Sequence, residues 1–182
     1  MADRISNLLS EYENHISLSW PVVASGEERS IFAIYKPEDE LKLRARVEAF
    51  EHFTKVHGYY WQLLDITHAF EQWLTDQDYA EAYFENPEYL EANYEFFAED
   101  LAQQLREQIK KESENDASKT VVALLGCGTL FGITSVSGLV RQLADVIQGR
   151  LLVFFPGEKD DNTYRLLDAK NGWGYLATAL KG

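Results

Sequence analysis

The chain predicts an α/β fold, with one domain, a mostly parallel sheet of four to five strands covered by helices on both faces, and an antiparallel last strand pair. Three observations predict it. Short apolar runs rich in β-branched and aromatic residues recur at Ile31–Tyr35, Tyr59–Ile66, Thr120–Leu125 and Leu151–Phe155, the pattern of strands. Segments with apolar residues at spacings of three and four lie between them, the pattern of helices. Thr120–Leu125 and Leu151–Phe155 are almost wholly apolar, as strands covered on both faces are. Strands alternating with helices imply parallel neighbours joined by crossovers.

The elements follow in order. Arg4–Asn14 places Ile5, Leu8, Leu9 and Tyr12 on one helical face, and Trp20-Pro21 and Ser25-Gly26 mark the connection after it. Ile31–Tyr35 is the first strand, ended at Lys36-Pro37. Pro37-Glu38-Asp39-Glu40 starts a helix, because proline suits the first turn and carboxylates suit the positive end of the dipole. That helix is expected to run through Leu41, Leu43, Val47, Phe50 and Phe53 to His57, with Gly58 as its stop. Tyr59–Ile66 is the second strand and Thr67 a cap for the helix beyond it. Asp76–Glu114 is helical in composition and broken at Asn86-Pro87, since a proline there removes a hydrogen bond and clashes with the preceding turn. After the break, Leu90, Tyr94, Phe97, Leu101, Leu105 and Ile109 form one apolar stripe. Ser113–Ser118 is a polar turn before the third strand, Thr120–Leu125. Gly126-Cys127-Gly128 follows as a loop, then a helix from about Ser135 to Ile147 closed by Gly149. Leu151–Phe155 is the fourth strand, ended by Pro156-Gly157, and Tyr164–Asp168 returns antiparallel after the Asp160-Asp161-Asn162 turn.

A length of 182 residues suits one domain, and no internal repeat, low-complexity tract or second core divides it. Hydrophobic content of 46% with 26% charged residues is that of a globular chain. One cysteine, Cys127, cannot form an internal disulfide, which fits a reducing compartment. The N-terminus lacks an apolar stretch of signal-peptide type, and the longest apolar runs, five residues at Val121–Leu125 and Leu151–Phe155, are too short to span a bilayer. A soluble cytoplasmic protein without membrane association is the expectation.

The net charge of −13 is unevenly spread. Ten carboxylates and no Lys or Arg lie between Glu71 and Asp100, whereas Ser118–Gly182 holds seven basic and five acidic residues. Such an acidic face repels phosphate, so direct nucleic-acid binding is not expected. The stretch is also aromatic: Tyr79, Tyr83, Phe84, Tyr89, Tyr94 and Phe96 lie between Trp73 and Phe97. Tyr94 and Phe97 belong to the helix stripe. For Tyr79, Tyr83, Phe84 and Tyr89, core packing and contact with a partner are both open readings, because tyrosine presents an apolar body and a wet tip. The acids alone are explained by a solvated face. Taken with the aromatics, Asp76, Asp78, Tyr79, Glu81, Tyr83, Glu85, Glu88, Tyr89 and Glu91 form a candidate partner surface, within a helical insertion at about 71–114.

No catalytic constellation can be assembled. Gly126-Cys127-Gly128-Thr129-Leu130-Phe131-Gly132 follows a buried strand, but its third glycine comes six residues after the first rather than five. It also lacks the Lys-Ser or Lys-Thr of a phosphate loop. A tight turn is the simpler reading. Cys127 lies beside no histidine in sequence, since His15, His52, His57 and His68 are all in the N-terminal half, so a buried structural cysteine is expected rather than a nucleophile. The histidine spacings match no zinc pattern, and Gly-x-Ser-x-Gly is absent. Neither a metal nor a cofactor is expected. A ligand- or nucleotide-binding protein using the loops Gly126–Gly132 and Pro156–Asn162 is the alternative to an interaction module, because ligands of parallel sheets sit at the carboxyl ends of strands.

Two stretches resemble the BrxB family of bacteriophage-exclusion (BREX) defence systems. Ile31–Arg44 is similar to that family's first strand with its following aromatic, proline, acidic helix start and arginine, carried here by Tyr35, Pro37, Glu40 and Arg44. Val153–Glu158 with Tyr164–Leu167 resembles the family's Phe-Pro-Gly-Glu strand and returning strand, carried by Phe155, Pro156, Gly157, Glu158 and Arg165. The glycine turn at Gly126 also stands where the family has one. Lys159 replaces a usual aromatic, and Asn171-Gly172-Trp173-Gly174-Tyr175 matches the family's C-terminal aromatic-arginine segment only loosely. The resemblance implies a non-catalytic phage-defence component that docks on a PglZ-type protein, among partners that include an AAA-type ATPase and a DNA methyltransferase.

Overall fold

The computed structural model describes residues 2–22, 25–112, 115–169 and 172–182. Helix α1 (Arg4–Ile16) is capped by the Asp3 carboxylate, which accepts from Ser6 N at 2.9 Å, and it buries Ile5, Leu8, Leu9, Tyr12 and Ile16. Strand β1 (Ser30–Tyr35) is buried at every position. A 3-10 turn (Pro37–Asp39), α2 (Glu40–Arg44) and α3 (Val47–Val56) lead to β2 (Tyr60–Asp65). Four helices then follow, α4 (Ala69–Thr75), α5 (Ala80–Glu85), α6 (Glu88–Glu91) and α7 (Tyr94–Lys111). Strand β3 (Thr120–Leu125), a 3-10 turn at Cys127–Leu130 and α8 (Val136–Ala144) precede β4 (Arg150–Asp160). Three short strands end the chain, β5 (Thr163–Leu166), β6 (Trp173–Gly174) and β7 (Thr178–Leu180).

The main sheet has the order β2-β3-β4-β1-β7 with every pairing parallel. The β1-to-β2 connection runs one way across the sheet, whereas β2-to-β3 and β3-to-β4 run back. Crossovers of one hand must then lie on opposite faces, and they do. α1 and α3 pack with Ile31, Ala33, Val121, Ala123, Leu152 and Phe154 on one face. α7 and α8 pack with Phe32, Ile34, Val122, Leu124, Leu151 and Val153 on the other. The two cores bracket a central sheet, and the Tyr12 hydroxyl bonds Thr54 at 2.7 Å to tie α1 to α3.

The single-domain, mostly parallel α/β expectation matches this architecture, and several local expectations do not. Among the described residues seven strands form rather than four or five; β6 and β7 are two and three residues long, too short to carry a legible alternation. β4 does not end at Pro156-Gly157 but runs on to Asp160. The last β4 residue paired with β3 is Val153, so Pro156 lacks a neighbour there that would need its missing N–H. β4 and β5 pair antiparallel, but the last strand of the chain is β7, which is parallel to β1. The helix expected over 37–57 breaks at Ala45-Arg46, where Arg46 N bonds Leu43 O at 2.8 Å in a tighter i to i+3 turn. Leu41 consequently faces solvent at 82% exposure, and Leu43, Val47, Phe50 and Thr54 make the buried face. The stripe expected from Leu90 to Ile109 is likewise divided, at Ala92-Asn93. Part of the expected polar turn, Ser113 and Glu114, and Asn171 of the C-terminal segment lie outside the described residues.

Candidate functional site

The segments that follow β1, β2 and β3 meet Pro156 of β4 at the carboxyl edge of the main sheet. They enclose an opening of about 330 Å³ lined by residues that include Pro37, Glu40, Arg44, Thr67, Gly126 and Pro156. A polar chain crosses its wall. The Tyr35 hydroxyl donates to Glu40, Arg44 Nε donates to Glu40 Oε1 at 2.7 Å, and Arg44 Nη2 donates to Thr67 Oγ1 at 2.9 Å. Thr67 passes its own O–H and backbone N–H to Asp65 Oδ1, at 2.5 and 3.0 Å. Thr67 therefore does not cap α4, which starts behind His68 without a side-chain cap. Burial, then the bond to Glu40, pushes the Tyr35 hydroxyl pKa up, so it stays a donor at neutral pH.

Gly126 closes this wall for two reasons. Its φ of +99° is a left-handed conformation that favours glycine, and a Cβ there would lie 2.7 Å from Thr67 N. Cys127 behind it is fully buried, and burial followed by the Glu40 charge pushes its thiol up to about 12. At neutral pH that leaves a protonated thiol, a poor nucleophile. The residues after Gly126 form a 3-10 turn, and α8 starts only at Val136, where its N-terminus is capped by Ser135 accepting from Gly138 N at 3.2 Å. No described group of three or more His, Cys, Asp or Glu is placed to hold a metal ion.

Of the motif residues, Pro37, Glu40, Arg44 and Pro156 line the opening and Tyr35 bonds into its wall. Phe155 is instead core, against Phe32, Tyr164 and Trp173. Gly157 lies opposite Leu166, and Glu158 lies opposite Arg165, with both charged side chains exposed. Asp65 was not among the expected residues and Thr67 was expected only as a helix cap; the Asp-x-Thr spacing, which favours a local turn bonded by the aspartate, is the signal that could have found their pairing.

The acidic stretch is a different kind of surface. α5 and α6 contain no buried residue. Tyr79, Phe84 and Tyr89 are 73%, 69% and 57% exposed, and Tyr83 is half-buried. Core packing is thereby overturned for the first three; the aromatic cluster of this region is made instead by Phe70 and Trp73 of α4 with Tyr94 and Phe97 of α7, whose rings contact one another. Trp73 Nε1 also donates to Asp100 at 2.8 Å, joining α4 to α7. Asp76, Asp78, Glu81, Glu85, Glu88 and Glu91 are all exposed around those aromatics.

Fold and surface together define a parallel α/β protein whose strand-end polar groups bond one another and whose acidic aromatic face is left uncovered. A family model described as BREX protein BrxB matches residues 62–178, more than half of the chain, and the chain belongs to that family. Comparison with curated proteins gives no match, and comparison with solved structures gives none either. Membership points to a component of BREX phage defence. The matched range holds the Gly126 turn, the acidic stretch and Phe155–Arg165, whereas Ile31–Arg44 precedes it. No described helix is long and apolar enough to cross a membrane.

Proposed function

We propose that this chain is a non-catalytic interaction module of a BREX-type system, docking on a PglZ-type partner through the Asp76–Glu91 surface. The observation that carries the reading is that α5 and α6 contain no fully buried residue, while Tyr79, Phe84 and Tyr89 are exposed among carboxylates. Aromatic side chains within a charged rim are the usual anchors of protein interfaces. A run of carboxylates without a cation repels itself, and a basic partner surface relieves that repulsion. The absence of catalysis in this reading is supported by the buried, protonated Cys127 thiol and by the mutual engagement of Tyr35, Glu40, Arg44, Thr67 and Asp65.

The test is a binding titration with the PglZ-type protein of the same system, comparing the native chain with Asp78→Lys, Glu81→Lys and Glu85→Lys combined. The on-rate is expected to fall about tenfold or more on charge reversal and to fall with salt in the native pair. Equal on-rates and equal affinities, with the fold intact, would return the stretch to a solvated face. Purified chain is expected to leave ATP and generic ester or phosphate substrates unchanged. A second reading, a small ligand in the strand-end opening, is favoured by that opening's position and size. A nucleotide at a hundredfold its Kd would add about 2.7 kcal/mol of stability in a thermal-shift screen.

A further inference from the structure

The amino edge of the sheet, opposite the strand-end opening, holds a buried cation that has no counter-charge among the described residues. Arg150 starts β4 and is 6% exposed. Its Nη1 donates to Gly149 O at 3.1 Å, and its guanidinium lies 4.6 Å from the centre of the Trp20 ring. Trp20 in turn stacks on Tyr59, at 3.8 Å and 5°. Among the described residues Arg150 makes no ion pair, although the chain carries thirteen more acidic than basic groups. Buried charges are ordinarily paired, because desolvating one alone is costly. A second group nearby is also unsatisfied: Trp20 Nε1 is buried without a hydrogen-bond partner.

The surroundings add positive charge. Arg29 and His15 both act electrostatically with Arg150, and their repulsion, after burial, lowers the pKa of Arg150 and of His15 respectively. Glu28 is the carboxylate at the rim, but it is exposed and accepts from Ser25 N at 2.9 Å. Between these groups lies a cavity of about 340 Å³ whose wall includes His15, Trp20, Glu28, Arg150 and Thr178. A guanidinium that uses one of its five donors on a carbonyl retains the fork that fits carboxylate and phosphate oxygens.

We propose that this cavity is a binding site for a small oxyanion, carboxylate or phosphate, with Arg150 as its charged base and His15 and Trp20 in its wall. The anion supplies the counter-charge that Arg150 lacks among the described residues. It enters at the amino edge of the strands, so it is independent of both the strand-end opening and the acidic aromatic face.

The experiment follows the indole N–H resonances of the full ¹⁵N-labelled chain during titration with sodium phosphate and, separately, sodium acetate. Ionic strength is held constant with sodium chloride, and Trp20→Phe assigns the Trp20 resonance. A saturable shift of that resonance is expected. A response to phosphate alone identifies a phosphoryl ligand, and a response to acetate as well identifies carboxylates among its ligands. Arg150→Gln is expected to weaken the titration at least tenfold. Should that variant fail to fold, Arg150→Lys, which keeps the charge and loses the planar fork, takes its place with the same expectation. Absence of a saturable response in the native chain overturns the site, and so does unchanged affinity in the folded Arg150 variant.

Discussion

Gly157 shows how a motif residue can be constrained for a reason its sequence does not reveal. A turn glycine is the natural reading of Pro-Gly, but Gly157 lies within β4 and is not among the glycines with positive φ. What excludes a side chain is proximity: a Cβ would fall 2.0 Å from Arg165 O and 2.9 Å from the Phe155 ring. Gly157→Ala is therefore expected to lose about 1–3 kcal/mol, the usual cost of overpacking, read as a lower urea midpoint. An unchanged midpoint would show that the β4–β5 pair yields freely. His15 gives a pH dependence at the same scale. Burial, then Arg150, holds its pKa below the ordinary 6.5, so the unfolded chain takes up the proton first as pH falls. The stabilising effect is fully present above the unfolded value and is lost as pH falls toward the folded one. Between about pH 7.5 and about pH 5.5 the native chain should lose more of its urea midpoint than His15→Gln does. Equal losses, in buffers free of phosphate and carboxylate, would assign the dependence to other groups.

The contrast between elements is sharpest between β3 and the α5–α6 pair. β3 is buried from Val121 to Leu125, and each buried Val or Leu side chain contributes about 1.5–3 kcal/mol relative to exposure. α5 and α6 have no such contribution, and helices of six and four residues are far below the length at which local hydrogen bonding suffices. Amides of 80–91 are therefore expected to exchange with deuterium orders of magnitude faster than those of 121–125, and to slow when the partner binds. Protection of 80–91 in the free chain at the level of β3 would contradict this. The helical character of this stretch was legible from its composition and from Asn86-Pro87. Its lack of burial was not, because Tyr79, Phe84 and Tyr89 carry the same apolar signal whether or not a core has room for them. The split at Ala45-Arg46 was hidden for a similar reason, since Leu41, Val47 and Phe50 satisfy helical spacing on either side of it.

At the scale of the whole molecule, the last ten residues close the sheet. β7 pairs with β1, and Trp173 and Tyr175 join the ring cluster of Phe32, Phe155 and Tyr164. Removing 173–182 takes away the partly buried Trp173 together with Tyr175 and Leu180, which are buried and contribute about 1.5–3 kcal/mol each, against a total stability of about 5–15 kcal/mol. It also bares one edge of β1. The shortened chain is expected to lose its cooperative thermal transition and near-ultraviolet circular dichroism, whereas an intact transition would show that β1 suffices as an edge. The α/β class, the four long strands alternating with helices, and the family motifs were legible in the amino-acid order, because period and composition are local properties. Only the tertiary contacts show that β4 passes through Pro156 and Gly157, that Arg44 meets Thr67 and Asp65, and that Arg150 is buried beside Trp20. Each of these depends on which strands become neighbours, and neighbours in a parallel sheet are set by crossovers spanning tens of residues, beyond the reach of any local pattern.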